Sequence, residues 1–155
     1  MRASYVIIAV VAIAILGFLG YGYYDYNVAR EGLKNIYVGI ASALPRNISQ
    51  DSITLRVGVR LYNNGSSTVA IDRVIYELYI SDTKLGSGSY SGHIEIPARG
   101  SVTLDTDFMI SRSALGEIFY KIITGSGLSI KLKIYIYRNT LLGAVEEIRE
   151  TSFKI

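Results

Sequence analysis

The chain has 155 residues with no cysteine and one histidine, and its formal net charge is +3. The absence of cysteine excludes disulfides and thiolate metal sites. Because the basic residues are scattered singly along the chain, the mild positive charge predicts no nucleic-acid partner. Thirteen tyrosines, no tryptophan and more arginine than lysine indicate a thermophilic, archaeal source.

An apolar segment without any charged side chain covers residues 5–24. About 20 residues of α-helix are roughly 30 Å long, which is the thickness of a bilayer core. Apolar side chains surround every face of this helix, which excludes an amphipathic surface helix. Aromatic rings favour the membrane–water interface, and four tyrosines crowd the end of the segment: Tyr21, Tyr23, Tyr24 and Tyr26. We therefore predict a transmembrane signal anchor.

The charges that flank this segment predict its orientation. Arg2 precedes it, whereas the charges between Asp25 and Lys34 nearly cancel. The positive-inside rule then places the N-terminus in the cytoplasm and the following domain outside a single-pass cell membrane protein. The predicted organisation is a cytoplasmic N-terminus (1–4), the anchor (5–24), a linker (25–34) and a folded domain (35–155).

Two other interpretations of the apolar segment are open. The first is a cleaved signal peptide, although its apolar core is usually about 7–15 residues long. The small residues that could allow cleavage lie near 20–22 or 27–29. The second is a pilin-type assembly helix, for which the sequence has no charged leader or processing junction.

Beyond residue 35 the apolar residues alternate, which predicts β-strands. The clearest strand carries Ile53, Leu55, Val57, Val59 and Leu61 on one face. The first strand is predicted to end at 45–47. One stretch has helical spacing instead (Leu115, Ile118, Phe119 and Ile122), with Ser111 or Ser113 as a start and Gly125 as a stop.

The pattern predicts seven strands and one short helix. Antiparallel strands with one apolar face bury that face against a second sheet, so we expect an all-β fold, an antiparallel β-sandwich of the immunoglobulin or fibronectin type III kind. If the loop after Ile96 formed a hairpin, His93 would face Asp105 across it, with Asp107 nearby on the same face. An open sheet face of this kind does not enclose a metal, and a surface pair is expected there.

The strand from Val57, the Asn63-Asn64-Gly65 turn and the run that continues to Leu104 resemble the group 2 late embryogenesis abundant family, also called the water-stress and hypersensitive-response (WHy) domain. The family's Asn-Pro-Asn turn appears here without its proline. The resemblance implies a non-catalytic, often membrane-anchored β-sandwich that protects proteins or membranes during stress. It implies no catalytic residues and no cofactor.

The most prominent surface feature is a stripe of alternating basic and aromatic residues: Lys131, Lys133, Tyr135 and Tyr137. Such a stripe could bind sugars, bases or lipid headgroups, but tyrosine and lysine are also ordinary on the solvent face of a sheet. No nucleophile elbow, phosphate-binding loop or dinucleotide-binding motif is recognised, and no enzyme is predicted.

The function predicted from the sequence is that of a membrane-tethered, non-catalytic binding or protective domain. Its expected partners are the membrane, through the N-terminal helix, and proteins or other envelope components. The alternative is a structural envelope protein, either a pilin-like subunit or a stator that binds a surface layer.

Overall fold

A computed structural model of the chain describes residues 2–124 and 129–154. The described residues form a long helix, seven strands and a short helix between the fifth and sixth strands. In chain order they are α1 (Arg2–Lys34), β1 (Ile36–Ile48), β2 (Ser52–Asn63), β3 (Val69–Ile80), β4 (Thr83–Ile96), β5 (Ser101–Ser111), α2 (Arg112–Ile123), β6 (Ser129–Thr140) and β7 (Gly143–Lys154).

The strands form two antiparallel sheets. One has the order β1-β2-β5 and the other has the order β4-β3-β6-β7. The alternating apolar residues of β2 and β6 point between the sheets, where Leu61, Ile134 and Ile136 are fully buried. This confirms the prediction of two antiparallel sheets with a buried interface.

The chain passes from one sheet to the other through the loops after β2 and after β4, and once more between β5 and β6. Because β4 pairs with β3 and β5 pairs with β2, no β4–β5 hairpin exists. The prediction that His93 faces Asp105 across such a hairpin is therefore wrong. Strand periodicity indicates which face of a strand is buried, but it does not indicate which strand is its neighbour.

Strand β1 continues past Pro45 to Ile48 instead of ending at 45–47. Its pairing with β2 shifts register between Pro45 and Asn47. Proline is tolerated here because β1 is an edge strand and the position is a bulge, where the missing N–H leaves no ladder bond broken.

The glycines of β4 bring this edge strand close to β5. A Cβ on Gly88 would collide with the Thr106 hydroxyl, and a Cβ on Gly86 would contact the Phe108 ring at 3.7 Å. Phe108 is fully buried. The serine- and glycine-rich sequence of β4 therefore lets the two sheets meet closely along this side of the sandwich.

Helix α2 begins as predicted from Ser111, whose hydroxyl accepts the Ala114 backbone N–H at 3.4 Å. The predicted stop at Gly125 lies outside the described residues, as does the neighbouring 126–128 segment. Helix α1 runs without interruption to Lys34. Residues 25–34, interpreted from the sequence as a linker, are instead its last turns, because Ala29 and Leu33 share a face that is buried in the domain.

A tyrosine hydroxyl is buried in the core without a hydrogen-bond partner among the described residues. The Tyr76 side chain is 1% exposed, and no described group bonds its hydroxyl. A buried hydroxyl that has lost its water without gaining a partner costs about 1–3 kcal/mol. Burial, and to a smaller extent Tyr90, raise the pKa of Tyr76 well above its ordinary value.

Replacing Tyr76 by phenylalanine should therefore raise the free energy of unfolding by about 1 kcal/mol near neutral pH. The gain should widen above pH 10, because Tyr76 ionises in the unfolded chain before it does in the folded one. Urea unfolding at pH 7 and pH 11 measures both effects. Tyr120→Phe is the control, since the Tyr120 side chain is 69% exposed and should change little. A destabilised Tyr76→Phe variant would contradict the prediction.

Candidate functional site

The first part of α1 exposes a continuous apolar surface. It is the one helix among the described residues that is long and apolar enough to cross a bilayer, and 6% of its most apolar part is buried. Its large side chains are at least half exposed from Val6 to Leu19. Soluble proteins rarely expose so large an apolar surface, which therefore indicates a membrane or protein contact.

The tyrosines at the end of this surface fall into two groups. Tyr21, Tyr23 and Tyr24 are 62–66% exposed. Tyr26 is partly buried and packs against the core of the sandwich. Three of the four tyrosines predicted for a membrane interface are thus exposed, whereas Tyr26 packs against the domain.

The last turns of α1 pack against the end of the sandwich. Ala29 and Leu33 are fully buried in the core, and Gly32 leaves room for Val69 at the start of β3. One carboxylate oxygen of Asp25 lies 3.3 Å from the Arg138 guanidinium, and both side chains are about one-fifth exposed. The helix that carries the apolar surface is thereby part of the domain's own core.

Arg149 of β7 holds the junction between α1 and β1. Its guanidinium donates to the Lys34 carbonyl at 2.7 Å and to the Ile36 carbonyl at 2.9 Å. The carbonyls at a helix end have no partner within the helix, so a cation there supplies both hydrogen bonds and a favourable charge. This contact fixes the direction in which the chain leaves the helix.

A second group of polar contacts lies at the same end of the sandwich, around the fully buried Asn63. The Asn63 amide donates to the carbonyls of Ser67 (2.7 Å), Ile96 (3.0 Å) and Pro97 (3.3 Å), and its oxygen accepts the Gly65 N–H at 2.9 Å. One side chain thus connects the loop after β2 to the loop after β4.

The predicted surface stripe lies on the outer face of the four-stranded sheet. All four residues, Lys131, Lys133, Tyr135 and Tyr137, are partly exposed. Lys131 lies 4.0 Å from Asp82, and Lys133 lies 3.9 Å from Glu150. The Lys133 ammonium also lies 5.3 Å from the centre of the Tyr135 ring, which is within the range of a cation–π contact.

Glu77 is the central acceptor of this face. It accepts hydrogen bonds from Lys84 (2.6 Å), Tyr79 (2.8 Å) and Tyr135 (3.2 Å). These donors, Lys84 first, lower the pKa of Glu77. The face is therefore a mosaic in which positive and negative groups alternate, suited to polar contacts with a protein surface more than to a polyanion.

His93 forms a small surface cluster with two carboxylates. Its Nδ1 lies 2.9 Å from Asp72 and its Nε2 lies 3.4 Å from Glu95. The other Asp72 oxygen accepts the Asn139 N–H at 2.8 Å. Within residues 2–124 and 129–154, no group of three or more histidine, cysteine or acidic side chains has an arrangement that could hold a metal. Asp107 pairs with Arg46 and Arg56.

The Asp72 carboxylate raises the pKa of His93 above its ordinary value. The contribution of the His93–Asp72 pair to the free energy of unfolding should be complete below about pH 6.5, the pKa of histidine in the unfolded chain. It should be lost as the pH rises through the higher pKa of His93 in the folded protein. An NMR titration of the one histidine measures the effect. Asp72→Asn should return the pKa towards 6.5, whereas Asp82→Asn, at an exposed distant turn, should not. An unshifted wild-type pKa would contradict the prediction.

A family model described as late embryogenesis abundant protein (LEA_2) matches residues 58–147, which is more than half of the chain. The chain belongs to this family. The match begins in β2 and ends in β7, so it covers the crossing loops, the Asn63 contacts and most of the four-stranded sheet. In this late embryogenesis abundant protein, helix α1 therefore lies before the residues that match the family.

Solved structures support the same fold. A solution structure of a protein from Arabidopsis thaliana has a TM-score of 0.59 at 14% identity, covering 76% of this chain and 79% of that one. The solution structure of a protein proposed to be late embryogenesis abundant has a TM-score of 0.51 at 15% identity, covering 94% and 86%. At these sequence identities, the similarity between the structures concerns the fold alone. No curated protein matches the sequence.

Proposed function

We propose that this late embryogenesis abundant protein is a single-pass membrane protein whose sandwich acts outside the cell by binding, without catalysis. The observation that carries the proposal is α1, whose first part exposes apolar side chains on every face while its last turns are buried in the domain. The exposed part is long enough to cross a bilayer. Arg2 before it favours a cytoplasmic N-terminus by the positive-inside rule.

The burial of the last turns disfavours a signal peptide cleaved near 27–29, and the exposed apolar surface of α1 favours a retained anchor. Cleavage near 27–29 would separate Asp25 from its partner Arg138 and disturb the buried Ala29. Cleavage near 20–22 would leave those contacts, but it would also remove the apolar surface that α1 exposes. A continuous helix thus serves the anchor and the domain together.

The finer fold and the role are also part of this proposal. The strand orders β1-β2-β5 and β4-β3-β6-β7 support a sandwich of the fibronectin type III kind. Family membership supports a stress-protective role of the WHy kind, and the composition supports a thermophilic, archaeal source. The mosaic face around Glu77 and Lys133 is the surface we assign to contacts with proteins or envelope components.

Cell fractionation tests the anchor. The full-length chain should remain in membranes after alkaline carbonate extraction, and mass spectrometry should find residues 1–24 still attached. External protease should digest the sandwich in intact cells. Recovery of the chain in sheared filaments would contradict the tether and support the pilin-like alternative, and a soluble product that begins near residue 21 would support a cleaved signal peptide.

Protection assays test the role. The chain in phosphatidylcholine–phosphatidylglycerol vesicles should reduce the aggregation of a heat- or drying-sensitive enzyme at stoichiometric amounts. Empty vesicles and vesicles that carry the Asn63→Ala variant, whose fold should be weakened, are the controls. Equal aggregation with and without the folded domain would contradict the protective role while leaving the anchor intact.

A further inference from the structure

The turn between β6 and β7 carries two exposed leucines. Thr140 pairs with Gly143, so the turn consists of Leu141 and Leu142 alone, which are 52% and 46% exposed. Tight turns usually contain glycine, asparagine, aspartate or serine. The other two-residue turn of the same sheet, between β3 and β4, is Ser81–Asp82. Two adjacent large apolar side chains at such a tip favour an apolar surrounding over water.

The position of the turn relative to α1 indicates that surrounding. A Cβ on Gly22 would lie 3.1–3.2 Å from the Leu142 side chain and 3.6 Å from the Leu141 Cβ. Gly22 is buried by this contact, whereas the neighbouring Tyr21 and Tyr23 are exposed. The leucines therefore lie at the level of the tyrosines that we assign to the membrane interface.

The distribution of charged residues also favours placing the turn at the level of these tyrosines. Residues 139–145 carry no charged side chain, and neither does α1 between Arg2 and Asp25. The first ion pair beyond the turn is Asp25–Arg138. Gly22 precedes Asp25 by three residues, which is about 4.5 Å along the helix towards the apolar part. Inserting the turn to the level of Gly22 would thus bury no charged side chain of the turn or of the preceding part of α1.

We propose that Leu141 and Leu142 insert into the interfacial region of the lipid bilayer beside Gly22. This inference rests on the proposed membrane anchor and adds a second contact to it. Because the last turns of α1 are buried in the domain, helix and domain can tilt together in the bilayer, whereas a laterally placed turn that also contacts the membrane fixes their orientation. The Ser81–Asp82 turn, at the opposite end of β3, would then point away from the membrane.

The cysteine-free chain allows a direct test by single-cysteine labelling. Full-length Ile13→Cys, Leu141→Cys and Asp82→Cys variants are labelled with an environment-sensitive fluorophore and placed in phosphatidylcholine–phosphatidylglycerol vesicles. Labels at 13 and 141 should show blue-shifted emission and quenching by a spin-labelled lipid. The label at 82 should show neither.

The possible results separate the two proposals. A label at 141 that behaves like the one at 82, while the label at 13 reports the bilayer, would overturn the inserted turn and leave the anchor standing. Labels at 13 and 141 that both report water would overturn the anchor as well.

The orienting role has its own test. Energy transfer from a label at residue 82 to acceptor lipids should rise in a Leu141→Asn/Leu142→Asn variant, because the domain then tilts towards the surface. Leu44→Asn is the matched control, since Leu44 is 63% exposed on β1 and far from this end of the sandwich. Unchanged energy transfer in the double variant, or an equal rise in the control, would overturn the orienting role.

Discussion

Replacing Asn63 by alanine should lower the free energy of unfolding by about 3 kcal/mol or more, since each buried group left without a partner costs about 1–3 kcal/mol. The change leaves the Ile96 carbonyl without its side-chain donor and removes the partners of Ser67 and Gly65. Water cannot replace the amide at once, because Asn63 is fully buried. Urea unfolding followed by circular dichroism measures the loss.

Asn64→Ala is the matched control for this substitution. The Asn64 side chain accepts one hydrogen bond, from Arg99 at 2.7 Å, in an exposed position. Exposed contacts of this kind contribute little, so the variant should stay within about 0.5 kcal/mol of the wild type. Equal effects at the two positions would contradict the assignment of Asn63 as the side chain that connects the two crossing loops.

The strands were predictable because burial on one face leaves a period-two pattern. In β2 the apolar set from Ile53 to Leu61 alternates with polar residues, and Val59 and Leu61 are fully buried. That pattern does not indicate which strands pair with each other. β4 and β5 lie in different sheets, and the loop between them passes from one sheet to the other. For this reason the position of His93 was predicted wrongly.

The role of Asn63 was not predictable from its turn-forming sequence. Asparagine before Asn64-Gly65 is equally typical of an exposed turn. Its partners at Ile96 and Pro97 lie more than 30 residues further along the chain. The family resemblance included this turn, but only the structure connects its amide to the second crossing loop.

The helical turns at 25–34 and the Leu141–Leu142 turn were missed for a related reason. Polar residues such as Asn27 and Arg30 suggested a linker, whereas Ala29 and Leu33 at helical spacing were a signal for a buried face. Two leucines between alternating strands were also visible in the sequence. Their meaning depends on the neighbouring Gly22, which comes from a segment more than 100 residues earlier.

Replacing Leu33 by alanine should lower the free energy of unfolding by about 2–5 kcal/mol, as expected for a large-to-small change in a packed core. Leu33 belongs to α1, whose first part exposes its apolar side chains, yet Leu33 itself is fully buried in the sandwich. Leu44→Ala is the matched control, because that leucine is largely exposed. Thermal unfolding in detergent micelles measures both variants.

Truncation tests the same contact on a larger scale. A chain that begins at Asp25 keeps Ala29, Leu33 and the carbonyls that Arg149 holds, and it should unfold cooperatively. A chain that begins at Ile36 loses the buried face of α1 and the Lys34 carbonyl, and it should be unfolded or aggregated. If both fragments were equally stable, the last turns of α1 would be a linker as the sequence first indicated, and the helix could not transmit a fixed orientation from the proposed membrane anchor to the domain.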